Sequence, residues 1–350
     1  MKRHLQAIDD RLMWEFGPAT GFAGHRLVIT PEVDRQLRPL VGEILRRAPR
    51  VDGWEFHAYR LPEPVEVAEP VVQARCGNSI DGWQVDAAPG DGNLVDLTFF
   101  VPGLRPKQAE AAKSTAFVAS ETLLGEETLD KWIGAIEVAP TKASRGLLGR
   151  RSGKPPMPPD AVPVATLRDR VAIECERIRD ALAQQPHHVW ADDSEWALIK
   201  LSPSEARDFA DQDDLFVART PNLRLWEATR RSLFFDERFS RCGETFCYLK
   251  LDGAQGLDEE HFADKAEIED AIDDVLKPDG LGCQIGGGTG RRYSYIELAL
   301  TDLDRGVRAV RDRLRAGNVP RRSWLLFHSA DLRGEWIGIY DDSPPPMLRV

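Results

Sequence analysis

Apolar and polar residues alternate with period two along TFCYLKLD from Thr245, along SYIELALT before Asp302 and along SWLLF from Ser323. Between these stretches the period lengthens to that of a helix. Phe262, Ile268, Ile272 and Leu276 share one stripe, and Leu303, Val307, Val310 and Leu314 share another, capped by Thr301 and Asp304. The predicted order is strand, helix, strand, strand, helix, strand, with one more strand in EWIGIYDD. That order is the split βαβ pattern of a ferredoxin-like module, placed at residues 241–350.

The first 140 residues read in a similar way. A short helix and a turn-rich approach lead to a strand at His25–Thr30. Thr30-Pro31 then starts a helix whose stripe is Val33, Leu37, Val41 and Ile44, with Pro39 bending it or facing outward. Strands follow at Trp54–Ala58, at Trp83–Ala87 and, after the PGDGN turn, in LVDLTFFVPG. A helix over 106–124 carries Ala109, Ala112, Phe117 and Leu124 inward, and WIGAIEVAP from Trp132 closes the module. Residues 141–163 are basic, rich in Gly and Pro and aperiodic, which predicts a linker. Residues 164–240 are expected to be a mostly helical connector. Its first helix starts at Thr166, with Leu167, Val171, Cys175, Ile178 and Leu182 on one face. A lone strand (EWALIKLS), a capped start at Ser202-Pro203 with Glu205, and a helix within Leu215–Phe239 complete it. The predicted fold class is therefore α+β: two ferredoxin-like modules of one strand order, with antiparallel or mixed sheets, around a helical middle.

Composition narrows the function classes. A chain of 350 residues with 42% hydrophobic and 29% charged residues is an ordinary globular composition, long enough for two or three cores. No apolar run is long enough for a membrane span, and MKRHLQAIDDRLMWEF lacks the apolar segment of an export signal. Five scattered cysteines make no disulfide framework, so a cytoplasmic setting is expected. A formal charge of −11 opposes binding to a nucleic-acid backbone, and the nine tryptophans, Trp54, Trp83, Trp132, Trp324 and Trp336 among them, read as sheet-face fillers rather than base-stacking platforms.

Candidate chemistry is sparse. Gly286, Gly287, Gly288, Thr289 and Gly290 form a glycine string before Arg291, Arg292 and Tyr293. It lacks the Lys-Ser/Thr ending of a P-loop and sits between predicted strands, so it reads as a wide hairpin turn. Its backbone amides can also form a nest for a small anionic ligand, with Arg291, Arg292, Tyr293 and Tyr295 beside it. His187 and His188, followed by Trp190, Asp192 and Asp193, are the best polar cluster of the middle region. Cys242, Cys247 and Cys283, even with His261 or His328, lack zinc-site spacing, and Cys175 sits in an apolar stripe. His328, Ser329 and Asp331 are triad residue types, but adjacency along a strand does not assemble a triad. No cofactor or metal is expected.

The segments GWEFHAYRLP, LGEETLDKWIGAIE, GETFCYLKLD and GCQIGGGTGRRYSYIELALTD resemble a family of conserved-hypothetical bacterial proteins containing a domain of unknown function. The resemblance spans most of the chain outside the linker. It implies α+β units and a bacterial cytoplasmic setting, and supplies no catalytic residues. The expected function is a non-catalytic binding or regulatory protein that meets a protein partner through sheet faces or charged helix faces. The alternative is a sensor or enzyme with an anion pocket near the glycine string, using His187 and His188 on its other side.

Overall fold

The computed structural model describes residues 2–32, 34–141, 157–191, 194–203, 205–231, 233–254, 256–258 and 260–348. Val33, Asp192, Asp193 and most of the predicted linker lie outside them. The chain forms two compact units, Met1–Ala181 and Leu182–Val350. Both are mixed α and β.

In the first unit, α1 (Lys2–Leu5) precedes β1 (Met13–Pro18) and β2 (His25–Thr30), and α2 (Arg38–Arg47) carries the chain to β3 (Trp54–His57). β1 and β2 pair antiparallel and β2 and β3 parallel, giving a sheet in the order β1-β2-β3. α3 (Val65–Cys76) leads to β4 (Gln84–Pro89) and β5 (Val95–Val101), and α4 (Ala109–Leu124) and α5 (Glu126–Trp132) return the chain to β6 (Ile133–Pro140). With β7 (Val162–Pro163), these strands form a second sheet ordered β6-β5-β4-β7, and α6 (Leu167–Asp180) follows. Its core joins Val85, Leu97 and Phe99 of the strands to Val72, Ala116, Leu123 and Val171 of the helices.

Several expectations need correcting here. The chain before His25 contains a strand, β1, as well as a short helix. Thr30 caps no helix: its buried hydroxyl donates to Glu126 Oε1 at 2.6 Å. α2 starts instead at Arg38, after a 3-10 turn, so Pro39 falls in the first turn, where a missing N–H costs nothing. α3 contains Pro70, whose sequence signal is that of a breaker; Ala68 and Val72 anchor the helix in the core across the lost bond. Phe117 is 49% exposed, because the inward stripe of α4 runs through Ala112, Ala116, Ala119 and Leu123. The unit also does not repeat the strand order of the second. Its helical crossovers join strands that are immediate parallel neighbours, β2 with β3 and β5 with β6, so no strand is inserted between them.

In the second unit, α7 (His187–Trp190) and β8 (Ala197–Lys200) are followed by β9 (Leu215–Thr220) and α8 (Leu223–Thr229). Then come β10 (Thr245–Asp252), α9 (Lys265–Leu276), β11 (Gly282–Gly290), β12 (Tyr293–Leu300), α10 (Leu303–Ala316), β13 (Ser323–Phe327) and β14 (Trp336–Gly338). One seven-stranded sheet results, ordered β14-β13-β10-β12-β11-β9-β8, with every neighbouring pair antiparallel. Of the pattern LRLWEATRRSLFFDERFS, expected as one helix, α8 covers Leu223–Thr229 and a 3-10 turn covers Asp236–Arg238; the residues just before the pattern form β9, which pairs with β11. Ser202-Pro203 starts no helix among the described residues.

The two faces of this sheet differ in chemistry. Cys247, Leu249, Leu251, Ile296, Leu298 and Leu325 pack against α9 and α10 in a hydrocarbon core. The alternate positions put Tyr248, Tyr293, Tyr295 and Trp324 on the other face, where Phe209 and Leu215 join them. Lys250 and Glu297 share that alternation and are buried. This polar and aromatic face holds the candidate chemistry.

Candidate functional site

The glycine string is not a loop. Gly286, Gly287, Gly288, Thr289 and Gly290 are the second half of β11, paired with β12 on one side and β9 on the other. A bulge between Gln284 and Gly286 brings Gly286 to φ +151°, a conformation that excludes side chains. A Cβ on Gly287 would stand 2.5 Å from the Tyr295 carbonyl, and one on Gly288 2.5 Å from that of Val217. The glycines therefore serve close strand packing.

The turn that follows does form an amide nest, and the protein fills it. The Asp214 carboxylate is buried and accepts from the backbone N–H of Arg292 at 2.8 Å and of Tyr293 at 2.9 Å, and from the Tyr295 hydroxyl. Arg291 is exposed and pairs with Glu205 at 3.2 Å. Arg292 grips Asp252 with Nε at 3.2 Å and Nη2 at 2.7 Å. Arg322 bridges Asp252 and Asp208, and Tyr293 donates to Asp208 at 2.6 Å. Burial works against the charge of Asp252, but hydrogen bonds from Arg292, the Ala254 amide and Arg322 hold its carboxyl below the usual range. Burial and the bond to Asp208 push the Tyr293 phenol up to about 12. Behind this network the buried Lys250 donates to the Phe209 carbonyl and sits 4.3 Å from the Tyr293 ring centroid. Every cation expected to meet a ligand here already has an internal partner.

His187 and His188 lie elsewhere. His187 is buried beside Phe246, with Nδ1 2.9 Å from Glu244 Oε2 and its backbone N–H on Glu244 Oε1 at 2.8 Å. Ser240 also donates to Glu244, at 2.7 Å. Burial raises the Glu244 carboxyl, but these bonds more than offset it and hold the group below its ordinary value. His188 lies 3.7 Å, through Nε2, from where a Cβ on Gly280 would stand. Glu244 immediately precedes β10, whereas Tyr293 pairs with Asp252 at its other end. Eight residues of strand separate the two sets by roughly 25 Å. They do not converge on one site.

An open pocket of about 90 Å³ lies on the same polar face. Tyr248, Gln212, Arg230, Arg333 and His328 line it, together with the carboxylates of Asp211, Asp213 and Glu335. Strand pairing sets its floor: Tyr248 of β10 stands opposite Glu297 of β12 and Leu326 of β13. His328, just past β13, is held by its backbone N–H on the Phe246 carbonyl, and its ring lies 4.8 Å from that of Tyr248. His328 Nε2 is 2.6 Å from Glu297 Oε2, and Gln212 donates to Glu297 Oε1 at 2.6 Å. Arg230 in turn donates to Gln212 Oε1 at 3.2 Å. A buried carboxylate thus orients an imidazole, leaving Nδ1 as the nitrogen available to the pocket. Burial, reinforced by the charges of Asp211 and Glu297, raises the Tyr248 phenol well above its usual value, so it stays a hydroxyl donor. Arg333 approaches Asp211 at 4.0 Å, the outer limit of an ion pair.

His328, Ser329 and Asp331 are neighbours in sequence, but the partner of the His328 ring is Glu297, thirty-one positions earlier. The available signal was the placement of Tyr248 and Glu297 on the polar alternation of neighbouring strands. All five cysteines are free thiols, and the described residues contain no group of three or more His, Cys, Asp or Glu side chains able to hold a metal ion. No helix among them is long and apolar enough to cross a membrane. Compared with protein families, curated proteins and solved structures, the chain gives no match.

Proposed function

We propose that the second unit binds a short-chain carboxylate in the Tyr248–His328 pocket, as a small-molecule sensor or carrier. The observation that carries this reading is the hydrogen-bonded chain from His328 through Glu297 and Gln212 to Arg230, with the loosely held Arg333 beside it. At ~30 Å³ per liquid water, the 90 Å³ volume takes roughly three water-sized groups, and the open mouth accommodates the rest of a short-chain acid. Arg333 offers a planar fork to the carboxylate, Tyr248 donates a hydroxyl, and His328 Nδ1 accepts from a ligand hydroxyl. Titration calorimetry of the full chain with acetate, lactate and malonate at fixed ionic strength tests this. Arg333→Gln is expected to weaken the best ligand by about tenfold, and His328→Gln to change which ligand is preferred. Equal binding of propionamide, or affinities untouched by Arg333→Gln, would sink the proposal.

The strand order β13-β10-β12-β11, with α9 and α10 on one face, supports a ferredoxin-like reading of the second unit's centre. That fold hosts many functions, so the function rests on the pocket. A second reading, a protein partner, is favoured by one feature. β8 is one of the two edge strands of its sheet, and its Leu198 is 67% exposed, which suits addition of a partner's extended strand. Under that reading a photo-crosslinker at position 198 captures a discrete partner, and Leu198→Lys abolishes the capture; a blank outcome at position 198 removes it.

A further inference from the structure

The first unit contains a larger pocket, of about 250 Å³, between α5, α6 and the chain at Tyr59–Pro62. One part of its wall is apolar, made by Leu61, Pro62, Leu124, Trp132, Val171 and Ala172, and charged side chains with Thr128 make the rest. An engineered apolar cavity of ~150 Å³ holds benzene, so this one has room for roughly ten non-hydrogen atoms. Cys175 also lines it, and burial pushes that thiol up to about 11, so the wall is inert rather than nucleophilic.

Most of the charged side chains that line the pocket are engaged. Glu127 is taken by Lys131 at 3.0 Å and Glu176 by Arg179 at 2.6 Å. The Arg179 guanidinium also lies 4.6 Å from the Trp132 ring centroid. Arg60 meets Glu32, Glu15 at 3.3 Å and Glu121 at 3.7 Å. Both lining carboxylates are thus neutralised. Arg168, which also lines the pocket, makes no ion pair among the described residues and is exposed. It is the lining cation that no described carboxylate engages, and it stands beside the apolar part of the wall.

We infer that this pocket is a binding site for an amphipathic monocarboxylate, with the apolar body against Leu124, Trp132 and Val171 and the carboxylate on Arg168. A neutral ligand of the same shape would leave Arg168 unused, and an inorganic anion would leave the apolar walls wet. This site is independent of the carboxylate pocket proposed for the second unit.

The test uses the full chain and 4-phenylbutyrate, followed by calorimetry and ligand-observed NMR, with 4-phenylbutyramide as the uncharged control. The acid is expected to bind at least about tenfold more tightly than the amide, and Arg168→Gln to remove that difference. Ala172→Phe fills the pocket from an exposed helix position and should abolish binding while the melting transition stays cooperative. Failure of the acid to bind overturns the inference, as does equal binding of acid and amide, or binding that survives Ala172→Phe.

Discussion

At the residue scale, the second unit places ionised groups where burial opposes them. Lys250 is 1% exposed, and desolvation, opposed in part by Asp214, Asp208, Asp211 and Asp213, lowers its pKa from 10.5 to about 8. Between those values the unfolded chain holds a proton that the folded chain has released, so stability rises with pH there. The slope is about 1.4 kcal/mol per pH unit for one proton. Urea titrations from pH 7 to 10.5 should therefore show a wild-type stability that gains on Lys250→Met across this window. Parallel profiles for the two proteins would mean that Lys250 is not desolvated as the structure has it. No sequence pattern announced this: TFCYLKLD reads as one lysine on the polar side of a strand, and only the covering Phe209 segment makes that side an interior.

At the element scale, β11 is the strand whose composition was most conspicuous and whose role was misjudged. A run of glycine with one threonine has no side-chain pattern, so nothing in it distinguishes strand from turn. What decides is the neighbours, since the carbonyls of Tyr295 and Val217 come too close for any Cβ at 287 and 288. Gly288→Ala is expected to cost about 2 kcal/mol through forced separation of β9 from β11. Amide exchange should quicken in β8 and β9 and hardly change in β10; uniform protection loss would instead indicate a global effect. The strands and helices with clear periodicity, β10, β12, β13, α9 and α10, were legible because one face of each meets hydrocarbon. α3 and β1 were not. Pro70 masks a helix held by tertiary packing, and β1 is a partly exposed edge strand with no buried residue in its span.

At the scale of the whole molecule, α+β character and the polar balance could be read from composition and period, but the topology of the first unit could not. Whether a crossover joins adjacent strands or leaves a gap depends on packing that no local pattern encodes, as the parallel pairs β2–β3 and β5–β6 illustrate. The same holds for the candidate sites. Asp214 occupies the nest beside Arg292 from seventy-eight positions away, and Glu297 reaches His328 from another strand. Each is a single acidic residue with nothing unusual around it in the sequence. Both pockets are built from residues that are bland one at a time.

The place of β9 in the sheet also has a consequence in time. β9 pairs with β11, Arg219 against Gly287, so the hairpin of β8 and β9 precedes its sheet partner by roughly seventy residues. At ~5–20 residues per second of synthesis, that hairpin waits several seconds or more with its inner edge unpaired. Leu198 and Phe216 stay exposed even after docking. During translation this stretch is therefore a segment of the second unit that calls for shelter, by the ribosome's surface or by a chaperone, until Gly290 has emerged and β9 can pair with β11.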